Sequence, residues 1–263
     1  MKRTTPFKDA AEFEKDLKDF ANKFRLTLAE HSRRISDYFE MTCYNLVIRY
    51  YENKGYSLEV KNLQKGDFRF KCSPVGYLEY FSFFKASKTN SNGDKDIIYI
   101  FHNATTQSAF DDKVFTTPDI VVSKSDIPDV TTDYYLTKHK LTYISKENLV
   151  TFCEAKHLTP FPELMINFIG TVHELKPDCI NDVGGDVGSD HIAPSLLISG
   201  TFGKPTRRIQ KSFERRYFVN FLDNLFDDDS VRLFYSMSQM DMIATLGKKR
   251  ESSTTYEESD EIL

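Results

Sequence analysis

Tryptophan is absent from this 263-residue chain, and glycine and proline are scarce, at 11 and 9 residues. Nowhere do they gather with serine into a linker, so one large domain with a full core is expected rather than two. The only cysteines stand at positions 43, 72, 153 and 179 and form no CxxC pair. That spacing excludes a zinc ribbon or disulfide framework and fits reduced structural thiols in a cytoplasmic protein. No apolar run approaches the roughly 18 residues of a membrane helix, so no membrane association is expected. Met1-Lys-Arg-Thr-Thr5 is followed by no hydrophobic stretch of the kind a secretory signal carries. Positive charge is not in excess: 35 Lys and Arg face 39 Asp and Glu, a net charge of −4, which gives no global pull toward nucleic acid. The glycine-rich segment from Asp182 to His191 precedes a strand instead of opening a helix, so it is neither a P-loop nor a dinucleotide turn. Its acidic spacing does not match a calcium loop, and it reads as a surface loop. Ser195 and Ser199 lack the histidine and acid of a hydrolase triad.

What the chain does contain is a run of apolar, β-branched and aromatic residues, Leu149 to Leu158, broken by neither Gly nor Pro. It predicts a strand. Side chains alternate along a strand, placing Val150, Phe152, Glu154, Lys156 and Leu158 on one side and Thr151, Cys153, Ala155 and His157 on the other. Glu154 and Lys156 thus project together from a core sheet. Charge there is costly unless it is paired, binds a metal or faces a cleft. A second strand, Ile120 to Val122, opens on Pro118-Asp119 and offers another carboxylate. Three groups can converge on one divalent cation and one water.

Other Pro-Asp pairs occur at 128 and 177, and other acid-x-Lys triplets begin at 16, 52, 59, 111 and 174. Asp119 alone is followed by an apolar β-branched triplet. Glu59-Val-Lys61 also reads as a strand, yet it precedes every Pro-Asp pair. Around these motifs the periodicities predict a helix over 35–53, with apolar residues at 35, 39, 43, 46, 47 and 50, closed by Gly55. Strands are expected at 57–61, 67–72, 77–84 and 96–101, with a turn at 89–94. After the two motif strands come a helix at 162–175, a strand at 195–199 and a long helix at 206–226.

Pro118-Asp119 followed by Glu154-x-Lys156, in this order of elements, resembles the PD-(D/E)XK signature of the restriction-endonuclease-like nucleases, over roughly residues 35 to 200. The resemblance implies an α/β fold with an α-β-β-β-α-β core, a mixed central sheet flanked by helices. It also implies a metal-dependent endonuclease, with Mg²⁺ (Mn²⁺ as substitute) held by Asp119, Glu154 and the Ala155 carbonyl. In such a site Lys156 orients or deprotonates the attacking water. Glu40, on the first helix before Gly55-Tyr56, matches an acidic position common in the family, and a solvent-facing structural role for it stays open. DNA is the expected substrate, in restriction or antiviral defence, with RNA open. A homodimer or a partner-protein complex is expected. The alternative is a catalytically inactive nuclease-fold protein that binds nucleic acid or acts as a scaffold.

The 35 positions from Asp119 to Glu154 exceed the family's usual separation. Residues 124–148 are therefore expected as an insertion, with a hairpin arm at 134–144 and contact residues Tyr134, Tyr135, Leu141 and Tyr143. The expected organisation is a helical extension over 1–30, one nuclease-like domain over 31–245 and a disordered charged tail over 246–263. Lys204, Arg207, Arg208, Lys211, Arg215 and Arg216 crowd into thirteen residues with one acid, Glu214. On a helix Arg207, Lys211 and Arg215 make one ridge, with Phe213, Tyr217, Phe221 and Leu225 on the buried side. The ridge is either a solvated face or a phosphate contact. His31-Ser-Arg33-Arg34 is a weaker basic spot.

Overall fold

The computed structural model describes residue 19 and residues 35–72, 76–132, 140–181, 189–225 and 242–250. The expected 1–30 extension (apart from Asp19), the basic spot at 31–34, Tyr134, Tyr135, most of the glycine-rich loop and residues 251–263 lie outside the described residues.

Helix α1 spans Ile35–Asn53. Phe39, Cys43, Leu46, Val47 and Tyr50 are buried as their spacing predicts, and Tyr44, Ile48 and Tyr51 are buried as well. The helix is therefore enclosed on more than one stripe. It ends where Gly55 adopts φ +86° and the Tyr56 N–H reaches back to the Tyr51 carbonyl at 3.0 Å, the left-handed closure that glycine permits.

Seven strands form one mixed sheet: β1 (Ser57–Lys61), β2 (Phe83–Thr89), β3 (Lys95–His102), β6 (Ile120–Ser123), β9 (Leu149–Lys156), β10 (Ser195–Ile198) and β11 (Asn220–Leu222), adjacent in that order. Pairing is antiparallel from β1 to β9 and parallel across β9, β10 and β11. Two small hairpins stand outside the sheet. One pairs β4 (Thr106–Gln107) with β5 (Phe115–Thr116), and the other pairs β7 (Asp129–Thr131) with β8 (Leu141–Tyr143) inside the expected insertion. Helices α2 (Pro162–Leu175) and α3 (Lys204–Arg216) complete the α/β architecture.

Each sheet face carries its own core. On one, α1 covers Phe84, Ile98, Ile100, Ile120, Val122, Cys153 and Ala155. On the other, Met165, Phe168 and Val172 of α2 pack on Phe101, Val121, Phe152, Leu196 and Phe221. The alternation read in β9 holds for Phe152 against Cys153 and Ala155, but Val150 crosses over to the α1 side. The cause is a register shift, Val122 pairing Thr151 while Ser123 pairs Leu149, which inserts one residue into β9 and reverses the faces beyond it.

Three expected elements differ. Residues 67–72 make only an isolated bridge, Gln64 with Asp67, and serve instead to lodge Phe68 and Phe70 in the α1 core. The 77–84 segment is a 3₁₀ turn at Leu78–Tyr80 before β2 begins at Phe83. The long helix stops at Arg216, and Asn220–Leu222 becomes the sheet's edge strand. Phe221 and Leu225 are thus buried by the sheet and not by a helical stripe, while α3 turns Thr206, Gln210 and Glu214 inward. The tail expected from residue 246 is described as far as Arg250, whose guanidinium meets buried Glu214 at 2.9 Å. No helix among the described residues is long and apolar enough to cross a membrane.

Candidate active site

Asp119 stands immediately before β6, beside β9 in the centre of the sheet, and is 7% exposed. Its Oδ2 accepts the Ala155 backbone N–H at 2.7 Å and the Lys156 ammonium at 2.8 Å. The same ammonium lies 2.7 Å from Glu154 Oε2. The three residues read as a motif from sequence therefore meet at one point, although 35 positions separate the strands' acids.

Glu40 reaches this point from α1. Burial first, and then the nearby Asp119 carboxylate, push its pKa up to about 7 against the pull of Asn103 and Lys156. Glu154 is pushed up to about 7 by the same pair of causes, burial and Asp119. Burial works to lower the Lys156 pKa, but the carboxylates of Glu154 and Asp119 outweigh it and hold the amine protonated. Two carboxyl groups thus share one ammonium, and a third, Glu40, lies within reach of their charges.

Three further residues belong to the surroundings and were not singled out from sequence. His102 ends β3 and Asn103 follows it: Asn103 Nδ2 donates to Glu40 Oε2 at 3.3 Å, and His102 Nε2 lies 3.9 Å from that oxygen. Burial lowers the His102 pKa to about 4, so its ring is neutral. Lys71, only 1% exposed, donates to the Asn103 carbonyl at 2.7 Å, and burial lowers its pKa to about 8. Asn103 carried one available signal, since asparagine just past a strand is suited to a left-handed turn. Nothing in the residues around Lys71 marks its burial.

The remaining predicted residues are placed as follows. His157 packs its ring on Phe39, with centroids 5.7 Å apart. His191 sits 3.5 Å from Asp96 and against the rings of Tyr51 and Tyr56, a structural setting. Arg207 of the expected ridge forks its guanidinium onto Asp223 at 3.2 and 2.8 Å and also donates to Gln210, bracing α3 against the segment after β11 with its side chain 41% exposed. Lys204, Arg208, Lys211 and Arg215 are exposed along α3, spaced four, three and four residues apart on one helical face. The helix begins near the site end of the sheet, since the loop before it is tied to β9 through Ser199 N–H to the Lys156 carbonyl at 3.3 Å.

Among the described residues no three His, Cys, Asp or Glu side chains are arranged as a metal cage. The donor chemistry nevertheless suits a hard divalent cation: oxygen ligands from neighbouring carboxyls, two of which have pKa values raised by burial first and by the Asp119 carboxylate second. Comparisons with protein-family models, with curated proteins and with solved structures return no match, so the site is interpreted from its own chemistry.

Proposed function

We propose that this chain is a Mg²⁺-dependent nuclease that hydrolyses phosphodiester bonds, with DNA the favoured substrate and restriction or antiviral defence the favoured role. The observation that carries the reading is the Lys156 ammonium bonded to both Asp119 and Glu154 across two adjacent strands. A helix, antiparallel strands ending in the motif strand, a helix and a parallel strand follow one another in the chain, which supports the PD-(D/E)XK reading, although five sheet strands stand before α2 where the α-β-β-β-α-β core has three.

Asp119, Glu154 and the Ala155 carbonyl would hold the cation, which supplies positive charge at the phosphoryl group and acidifies bound water. Lys156 gives up its contact with Glu154 and turns its Nζ donors to the attacking water and the phosphoryl oxygen as negative charge gathers there. Glu40 accepts a hydrogen bond from that water and keeps it in line. Water oxygen forms the new P–O bond and gives its proton to the Glu40 carboxylate, the bond to the leaving sugar oxygen breaks, and a solvent water protonates that oxygen. The α3 stripe of Lys204, Arg208, Lys211 and Arg215 grips backbone phosphates without reading bases. Cutting both strands of a duplex calls for two such sites, most simply in a symmetric dimer or with a partner protein.

One observation favours a second reading. An ammonium bonded to both carboxylates also braces two adjacent strands, a role that a nuclease-fold binding or scaffold protein would retain without turnover. Incubation of plasmid, single-stranded DNA and RNA with Mg²⁺, Mn²⁺ or EDTA separates the two. The nuclease reading expects metal-dependent cleavage, lost on the order of 10³-fold or more in Asp119→Ala, Glu154→Ala and Lys156→Ala. Wild-type cleavage by pure Glu154→Ala protein would overturn it, and binding without any cleavage would favour the scaffold.

A further inference from the structure

We propose that Asn103 is the positioning residue of this site, holding the Glu40 carboxylate on one side and the start of the Asp119 strand on the other. The inference rests on the nuclease reading and extends it to a residue that takes no part in the PD-(D/E)XK motif.

Asn103 makes contact in every direction the site needs. Its backbone N–H donates to the Asp119 carbonyl at 2.8 Å. Its side-chain amide donates to Glu40 Oε2 at 3.3 Å and to the Lys71 carbonyl at 2.8 Å, and its own carbonyl accepts the Lys71 ammonium at 2.7 Å. One residue therefore joins α1, the strand carrying Asp119 and the Phe68–Phe70 segment that packs under α1. Its φ of +50° lies in the left-handed region, which asparagine tolerates better than other residues with a side chain. That conformation directs N–H and amide toward different carboxylate-bearing elements at once.

The chemistry of the amide matters as much as its place. A neutral donor steadies Glu40 without adding charge to a cluster that already has three carboxyl groups. It also leaves one carboxylate oxygen unclaimed for water or cation. Lys71 contributes from outside the cluster: its ammonium bonds the Asn103 carbonyl and so fixes the turn. The buried ring of His102, whose Nε2 has no hydrogen-bond partner, lies 3.9 Å from the same Glu40 oxygen that Asn103 holds.

Asn103→Gly keeps the turn, because glycine adopts the same φ without strain, and deletes the amide with its bonds to Glu40 and to the Lys71 carbonyl, so the double variant with Glu40 is what separates positioning from folding. We expect Asn103→Gly to keep its cooperative melt, to bind Mn²⁺ about 10-fold more weakly by calorimetry and to lose kcat while KM for nucleic acid stays unchanged. Because Asn103 acts through Glu40, Asn103→Gly combined with Glu40→Gln should be no worse than Glu40→Gln alone, a non-additivity that a purely structural role would not produce. Asn103→Ala, which adds backbone strain, should melt lower than Asn103→Gly. Mn²⁺ binding by Asn103→Gly equal to wild type, or losses that simply add to those of Glu40→Gln, would overturn the inference while leaving the nuclease reading intact. A wild-type protein that neither binds Mn²⁺ nor cleaves would overturn both.

Discussion

Two acid-x-lysine triplets lie on strands of the same sheet, Glu59-Val-Lys61 on β1 and Glu154-Ala-Lys156 on β9, and each forms an ion pair between its first and third residues. On the edge strand the pair is 2.5 Å long with side chains 59% and 33% exposed. In the sheet interior it is 2.7 Å long with side chains 15% and 34% exposed. Local sequence and pair geometry are therefore nearly the same. The electrostatic outcomes are opposite: the hydrogen bond from Lys61 lowers the Glu59 pKa, whereas burial and Asp119 raise that of Glu154 to about 7. An exposed ion pair is satisfied by itself and by water. A buried one that must share its cation with a second carboxylate retains an unmet demand for positive charge, and that demand is what a divalent cation or a phosphate-bound transition state can use.

The largest expected contrast is in activity. Glu154→Gln should lose cleavage on the order of 10³-fold, while Glu59→Gln should cleave and melt as wild type does. Equal losses in the two variants, measured on one plasmid substrate, would erase the distinction between the triplets.

The same division between paired and available charge applies to α3. Reversing Lys204, Arg208, Lys211 and Arg215 to Glu should weaken binding to all sequences alike and flatten the salt dependence, by about 0.9 in slope for each duplex phosphate that is no longer neutralised. Arg207→Glu should instead lower the melting temperature, because it opposes Asp223, to which Arg207 is now paired. Fluorescence anisotropy at several salt concentrations reads the first effect and thermal melts the second. An unchanged salt slope after the fourfold reversal would return the stripe to a solvated face.

Smallest, and most specific, is the pH dependence of stability. Glu154 and Glu40 have folded-state pKa values of about 7 against 4.5, so the folded chain binds more protons between those values. Their contribution is fully present below pH 4.5 and is lost as pH rises toward 7. Glu59, lowered from 4.5, has the opposite sign: its contribution holds above that value and is lost as pH falls, and exposure makes it small. Urea unfolding from pH 4 to 8 should therefore show Glu154→Gln gaining on wild type as pH rises, with no such trend in Glu59→Gln. A constant difference between wild type and Glu154→Gln across that range would mean Glu154 is not perturbed.

Periodicity and punctuation alone placed α1, α2, β1, β3 and β10 within one residue at each end, and β9 from its true start to two residues past its end. These elements have strong apolar patterns, and Gly55 and Pro162 bound two of the helices. The convergence of Asp119, Glu154 and Lys156 was legible because side-chain alternation is a local property of a strand. Local pattern also misled. Phe213, Tyr217, Phe221 and Leu225 recur at four-residue spacing as they would on a helix, yet Asn220–Leu222 gains more as a strand whose side chains fill the core beside β10. The slip at Val150 depends on how β9 meets β6 and leaves no trace in either strand's own residues.

What the sequence by itself determined are short-range quantities: the type of the strongly patterned elements, the alternation of faces along an unbroken stretch of strand, and the chemical inventory of two acids and a lysine. Only the tertiary structure decided which charges are satisfied. Burial of Lys71, the fork of Arg207 on Asp223 and the approach of Glu40 and Asn103 to Asp119 join residues 16 to 79 positions apart. Proton affinity follows from the solvent and charges within a few ångströms, and no local stretch of sequence specifies those neighbours.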